Sequence, residues 1–93
     1  MTVNRKRELI YFCLGYEERR RASGSAAACN EMIDRAAREA AGDVLAPYIL
    51  KAATKGYTYP QLRLSHDIPC GKNLYYKTMR RFWAVLDAAK YGA

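Results

Sequence analysis

Between Gly71 and Lys90 the apolar residues Tyr75, Met79, Phe82, Trp83 and Leu86 recur at spacings of 4, 3, 1 and 3, the repeat of one helix face. Nowhere does a useful length of sequence alternate apolar and polar residues with period two, so no strand is expected. A chain patterned this way has to build its core by packing helix on helix. The predicted class is all-α.

Further helices follow from the same reasoning. About residues 3–20 place Leu9, Ile10, Cys13, Leu14 and Tyr16 at helical intervals, with Arg5, Lys6, Glu8, Glu17 and Arg20 elsewhere around the turn. Ala22-Ser23-Gly24-Ser25 interrupts the pattern. A second helix is predicted from Ser25 to Ala41, with Met32, Ile33, Ala36, Ala37 and Ala40 on one side and Ser23 or Ser25 capping its first amides. Gly42 stands where a left-handed C-terminal residue is usual. Asp43 can cap a third helix reaching about Lys55, with Val44, Leu45, Tyr48, Ile49 and Ala52 as its stripe, Pro47 in its first turn and Gly56 at its end.

A fourth, short helix over about 59–66 is announced by Thr58-Tyr59-Pro60-Gln61. The threonine oxygen can accept from the amide of Gln61, whose side chain reaches back, and Pro60 needs no donor in the first turn. Asp67-Ile68-Pro69-Cys70-Gly71 then makes a tight turn, since the residue before a proline is pushed out of the helical region. The fifth helix spans about 71–90. The expected architecture is a five-helix small domain with a C-terminal helix-turn-helix: one domain over 1–93, in which 1–55 give support or dimerisation and 56–90 form the helix-turn-helix part.

With 93 residues the chain has room for one modest core. Its apolar share of 51% and charged share of 27% are those of a folding chain rather than a disordered one. The stretch Leu9–Tyr16 falls short of the roughly 20 residues that a bilayer span needs. Arg5-Lys6-Arg7 precedes it as in a signal peptide, yet Glu17-Glu18-Arg19-Arg20-Arg21 stands where a cleavage site would be required. The expected location is cytoplasmic, in the host cell if the protein is phage-encoded, with no membrane partner. Cys13, Cys29 and Cys70 are odd in number and widely spaced, which suits reduced thiols, Cys13 and Cys29 filling core space.

The net charge of +7 favours anionic partners, and it is unevenly spread. Residues 1–41 hold eight basic and six acidic side chains, and residues 42–93 hold eight and three. In the predicted fifth helix, Lys72, Asn73, Tyr76, Lys77, Arg80 and Arg81 share the face opposite the apolar stripe, with no carboxylate between Asp67 and Asp87. A short capped helix, a tight turn and a helix apolar on one side and basic on the other form the sequence pattern of a helix-turn-helix. On that reading Lys72, Asn73 and Lys77 approach base edges, and Tyr76, Arg80 and Arg81 reach bases or flanking phosphates. Thr58, Tyr59, Gln61 and Arg63 of the shorter helix meet the backbone. The bland alternative is a solvated basic face, and for Arg19-Arg20-Arg21 it is a charged helix end.

The run from Lys55-Gly56-Tyr57-Thr58-Tyr59 through Asp67-Ile68-Pro69-Cys70-Gly71-Lys72-Asn73-Leu74-Tyr75-Tyr76-Lys77 to Arg80-Arg81-Phe82 resembles the C-terminal region of small phage-encoded transcriptional regulators of the RinA/ArpU type. In that family a turn of isoleucine or leucine, proline and a small residue leads into a helix with paired aromatics and then basic residues, a unit similar to region four of sigma factors. The resemblance covers about residues 55–88. It implies sequence-specific binding of double-stranded DNA and regulation of phage genes, with Lys72, Asn73, Tyr76, Lys77 and Arg80 at recognition positions. Such regulators carry serine and arginine or threonine around the turn where this chain has Cys70, Gly71 and Lys72, so no base-reading code is transferred.

Other candidates are weaker. Cys70 at a helix N-cap would have a lowered thiol pKa, or would simply fit a cramped turn. His66, the lone histidine, suits a helix C-terminus and lacks companions for a metal site. Trp83 and Phe82 could stack bases, although core packing is the simpler role; Tyr57 and Tyr59 suit DNA, a partner or their own domain. No catalytic constellation, metal ligand set or cofactor is expected, and the chain is read as not an enzyme. The alternative function is a phage-borne inhibitor or adaptor that binds a host protein, such as transcription machinery, through its basic surface. Ala26, Ala27, Ala28, Ala36, Ala37 and Ala40 would then let helices approach closely, in that interface or in a homodimer. For a DNA reader, a homodimer would set two recognition helices about 34 Å apart.

Overall fold

The computed structural model describes residues 2–22 and 24–92. Its elements are α1 (Val3–Leu14), α2 (Tyr16–Arg20), α3 (Ser25–Lys55), α4 (Tyr59–His66) and α5 (Lys72–Tyr91), and the described residues contain no strand. The class and the number of helices are as expected; two boundaries are not. Of the two serines expected to cap α3, Ser23 lies outside the described residues, and Ser25 is the first residue of the helix, whose N-cap is Gly24 with no side-chain cap hydrogen bond.

A single helix over 3–20 is expected from periodicity, but the chain breaks at Gly15, where φ is −80° and ψ is 1°. Arg19 is the cause visible in the structure. Its side chain folds back so that one guanidinium nitrogen donates to the Phe12 carbonyl, while Nε donates to Asn30 Oδ1 at 2.9 Å. A Cβ at position 15 would stand 2.5 Å from that guanidinium, so glycine leaves the room it needs. Asn30 Nδ2 donates to the Tyr16 carbonyl at 2.8 Å, and the Tyr16 hydroxyl donates to Asp34 Oδ1 at 2.7 Å. Burial and that carboxylate push the Tyr16 phenol up to about 12. Arg19 is therefore an internal tie of α2 to α3, neither a solvated end nor a nucleic-acid contact. Arg20 pairs with Glu17 at 3.2 Å.

The second difference concerns α3, which runs through the expected junction as one 31-residue element kinked at Gly42. A straight helix of that length would measure about 46 Å. The longest dimension of the molecule is 35 Å, so the element has to bend. Gly42 supplies the bend with φ 76° and ψ 170°, a region essentially reserved for glycine. Gly42→Ala is expected to destabilise the fold by about 1–3 kcal/mol, read as a lowered urea midpoint with an unchanged slope.

The core forms where α5 lies along α3, with α1 and α4 closing its sides. Leu9, Ile33, Ile49, Leu62, Ile68, Phe82 and Leu86 are almost wholly buried. The expected stripe of α5 points inward: Tyr75, Phe82, Trp83 and Leu86 are buried and Met79 is half-buried. Elsewhere the stripes are narrower than expected. Ile10, Leu14 and Val44 are exposed, because α1 and the second limb of α3 are each covered along one line only. Cys13 is buried, which pushes its thiol up to about 12, whereas Cys29 is half-buried. Ala36 and Ala37, expected to serve an interface, are consumed by this core. Residues 1–55 and 56–90 thus share one packed interior.

Candidate nucleic-acid interface

The site begins at α4. Thr58 takes extended backbone angles, its Oγ1 accepts from the Gln61 amide at 3.4 Å, and its own amide donates to Gln61 Oε1 at 2.8 Å. This is the capping box that the residues announce, with Pro60 in the first turn. The side chains of Thr58 and Gln61 are therefore engaged with each other at the helix start. Arg63 is exposed on α4.

Tyr59 lies between α4 and the turn. Its hydroxyl donates to the Cys70 carbonyl at 2.8 Å, and its ring lies 5.1 Å from Tyr75 and 6.5 Å from Tyr76. Half-buried and so bonded, it holds the turn against α5 rather than offering a free hydroxyl. Tyr57 stacks on His66, the last residue of α4, at 5.2 Å and 26°. The turn opens with Asp67 in the left-handed region at φ 54°, and the next amide, that of Ile68, donates to the Leu62 carbonyl at 3.3 Å. Leu62 and Ile68 are both buried, so the turn is pinned from beneath. Gly71, not Cys70, is the N-cap of α5. Burial pushes the Cys70 thiol up, opposed more weakly by Arg63, so the activated cysteine entertained from sequence does not form.

Beyond the turn, α5 is uninterrupted from Lys72 to Tyr91. Lys72, Asn73, Tyr76, Lys77, Arg80 and Arg81 are all exposed, Tyr76 at 43%. At about 100° per residue, Tyr76, Arg80, Asn73, Lys77 and Arg81 follow one another around roughly 140° of the circumference. Among the described residues Lys72, Lys77, Arg80 and Arg81 form no ion pair, whereas Arg5, Arg20 and Arg35 each have a carboxylate partner. Trp83 and Phe82, packed edge to face at 5.0 Å, lie in the core rather than forming an open stacking platform.

Two contributors from α1 escape a reading confined to the C-terminal half. Arg5 Nε stands 2.8 Å from Asp87 Oδ1, neutralising the single carboxylate of α5. Both atoms are buried and their mutual angle is not that of a hydrogen bond, so this is a charge contact. Lys6 Nζ lies 5.7 Å from the centre of the Trp83 ring, at the edge of the basic face. The signal was the Arg5-Lys6-Arg7 run, but which way it faces depends on how α1 packs.

No family model, curated protein or solved structure matches the chain. Among the described residues no three or more His, Cys, Asp or Glu side chains cluster as metal ligands, and no helix is long and apolar enough to cross a membrane.

Proposed function

We propose that the chain is a DNA-binding transcriptional regulator of the phage type, docking α5 in the major groove of double-stranded DNA. The observation that carries this reading is the exposed strip of Lys72, Lys77, Arg80 and Arg81, free of carboxylate partners among the described residues, on a helix whose opposite side is fixed by buried rings. An α-helix fits the major groove, and unpaired cations are what phosphate oxygens require. The capped α4 and the pinned turn ahead of α5 suit a helix-turn-helix unit, in line with the resemblance to RinA/ArpU-type regulators. In this role Lys72, Asn73 and Lys77 address bases near the start of the helix, while Arg80, Arg81 and Arg63 address phosphates.

The test is a binding titration against mixed-sequence duplex, single strand and RNA at two salt concentrations. Duplex is expected to bind best at low salt, with log K falling linearly in log salt by about 0.9 for each phosphate contacted. A duplex affinity that is absent, or indifferent to salt, overturns the assignment.

One observation favours the alternative of a protein-binding inhibitor or adaptor. Val3, Ile10, Tyr11 and Leu14 leave an exposed apolar flank on α1, the kind of surface that a protein partner covers. In that reading the titration yields no duplex complex.

A further inference from the structure

Where α1 crosses α5, the two helices enclose an open groove lined by Lys6, Tyr75, Tyr76, Met79, Arg80 and Trp83. Its floor is aromatic and thioether surface; its cations come from both helices, and no carboxylate lines it. The nearby acids are already occupied. Asp87 is held by Arg5 at 2.8 Å, and Glu8 Oε2 accepts from the Tyr91 hydroxyl at 2.8 Å. Lys6 has no carboxylate partner among the described residues and rests its ammonium near the Trp83 ring. A cation over an aromatic face is weakly held, so it is available to an anion.

The position of this groove matters as much as its charge. Around α5, the side bearing Trp83 and Tyr76 borders the basic strip. Tyr59 of α4 meets that border near the start of the helix, and Lys6 of α1 meets it further along. An elongated polyanion lying along the strip would therefore pass Lys6 next to Arg80. Lys6 and Arg80 line the same groove, so a phosphate of that polyanion would meet cations from both helices.

We propose that Lys6 is a second phosphate contact, through which α1 grips the nucleic-acid backbone beside the helix that enters the groove. This deepens the DNA-binding reading and rests on it. The contact is with backbone, so it adds affinity without sequence preference.

The experiment uses the full chain, mixed-sequence duplex at low and raised salt, and the variants Lys6→Ala, Lys6→Arg and Lys77→Glu. Lys6→Ala is expected to weaken duplex binding about five- to tenfold, equally across duplex sequences, and to make the salt slope shallower by about one. Lys6→Arg is expected to bind as the wild type does. Trp83 is the only tryptophan, so its fluorescence reports the groove directly. Duplex should change its emission in the wild type, and Lys6→Ala should reduce that change. Lys6 is exposed, so the variant should melt with the parent chain. If Lys77→Glu loses affinity while Lys6→Ala keeps both wild-type affinity and slope, the contact is refuted and the role of α5 stands. If the wild type fails to bind duplex at all, both fall together.

Discussion

The double variant Lys77→Glu, Arg80→Glu is expected to lose duplex affinity by on the order of a hundredfold at low ionic strength, with a salt slope shallower by about two. On the proposed reading each substitution replaces a cation that would face phosphate with a carboxylate, so attraction would become repulsion at two points one turn apart. Neither parent side chain has an ion-pair partner among the described residues, so no internal contact is lost. Glutamate is close to lysine and arginine in helix propensity, and α5 should stay helical. The variant is therefore expected to melt within about 0.5 kcal/mol of the parent. Fluorescence anisotropy with labelled duplex and a thermal melt on the same samples check both halves. Unchanged affinity in a folded variant would show that this face does not meet DNA.

Phe82→Ala should have the opposite profile. The ring is completely buried, packs edge to face on Trp83 at 5.0 Å, and sits on the helix that covers α3. Deleting it removes the transfer energy of a large side chain and leaves a cavity, together costing about 3–5 kcal/mol. Domains of this size are commonly stable by about 5–14 kcal/mol in total. The substitution thus consumes a large part of the available stability and should lower the melting temperature by on the order of 15–30 °C. Circular dichroism against temperature and urea measures it. A loss below about 1 kcal/mol would mean that α5 is not anchored as described.

The parts of the structure legible in the sequence are those set by local chemistry. Thr58, Pro60 and Gln61 specify the start of α4, and the observed span Tyr59–His66 agrees with the expected one. Gly56 ends α3 in the left-handed region as its position suggests. The stripe from Tyr75 to Leu86 could be read because burial on one side and solvent on the other leave a 3.6-residue pattern. Thr78 is also buried, yet its hydroxyl hides it from a search for apolar residues.

What stayed illegible depends on contacts between distant segments. The break at Gly15 follows from Arg19 reaching Asn30, and nothing in residues 3–20 alone discloses it. The exposure of Ile10, Leu14 and Val44 reflects which neighbours happen to cover α1 and α3. At the candidate interface the outward cations of α5 could be named from sequence. The engagement of Thr58, Tyr59 and Gln61 with their own domain, and the approach of Lys6, required the packing to be seen.

The clasp between the two ends of the fold has a consequence for biosynthesis. Tyr91 bonds to Glu8 across 83 positions, and Lys90 lies 4.5 Å from the Phe12 ring centre. Because α5 leaves the ribosome after every element that it covers, Leu9, Ile33 and Ile49 have no lid until translation has passed Leu86. A nascent chain stalled before that point would be a sticky, protease-sensitive client for chaperones, and cooperative closure awaits the final turns.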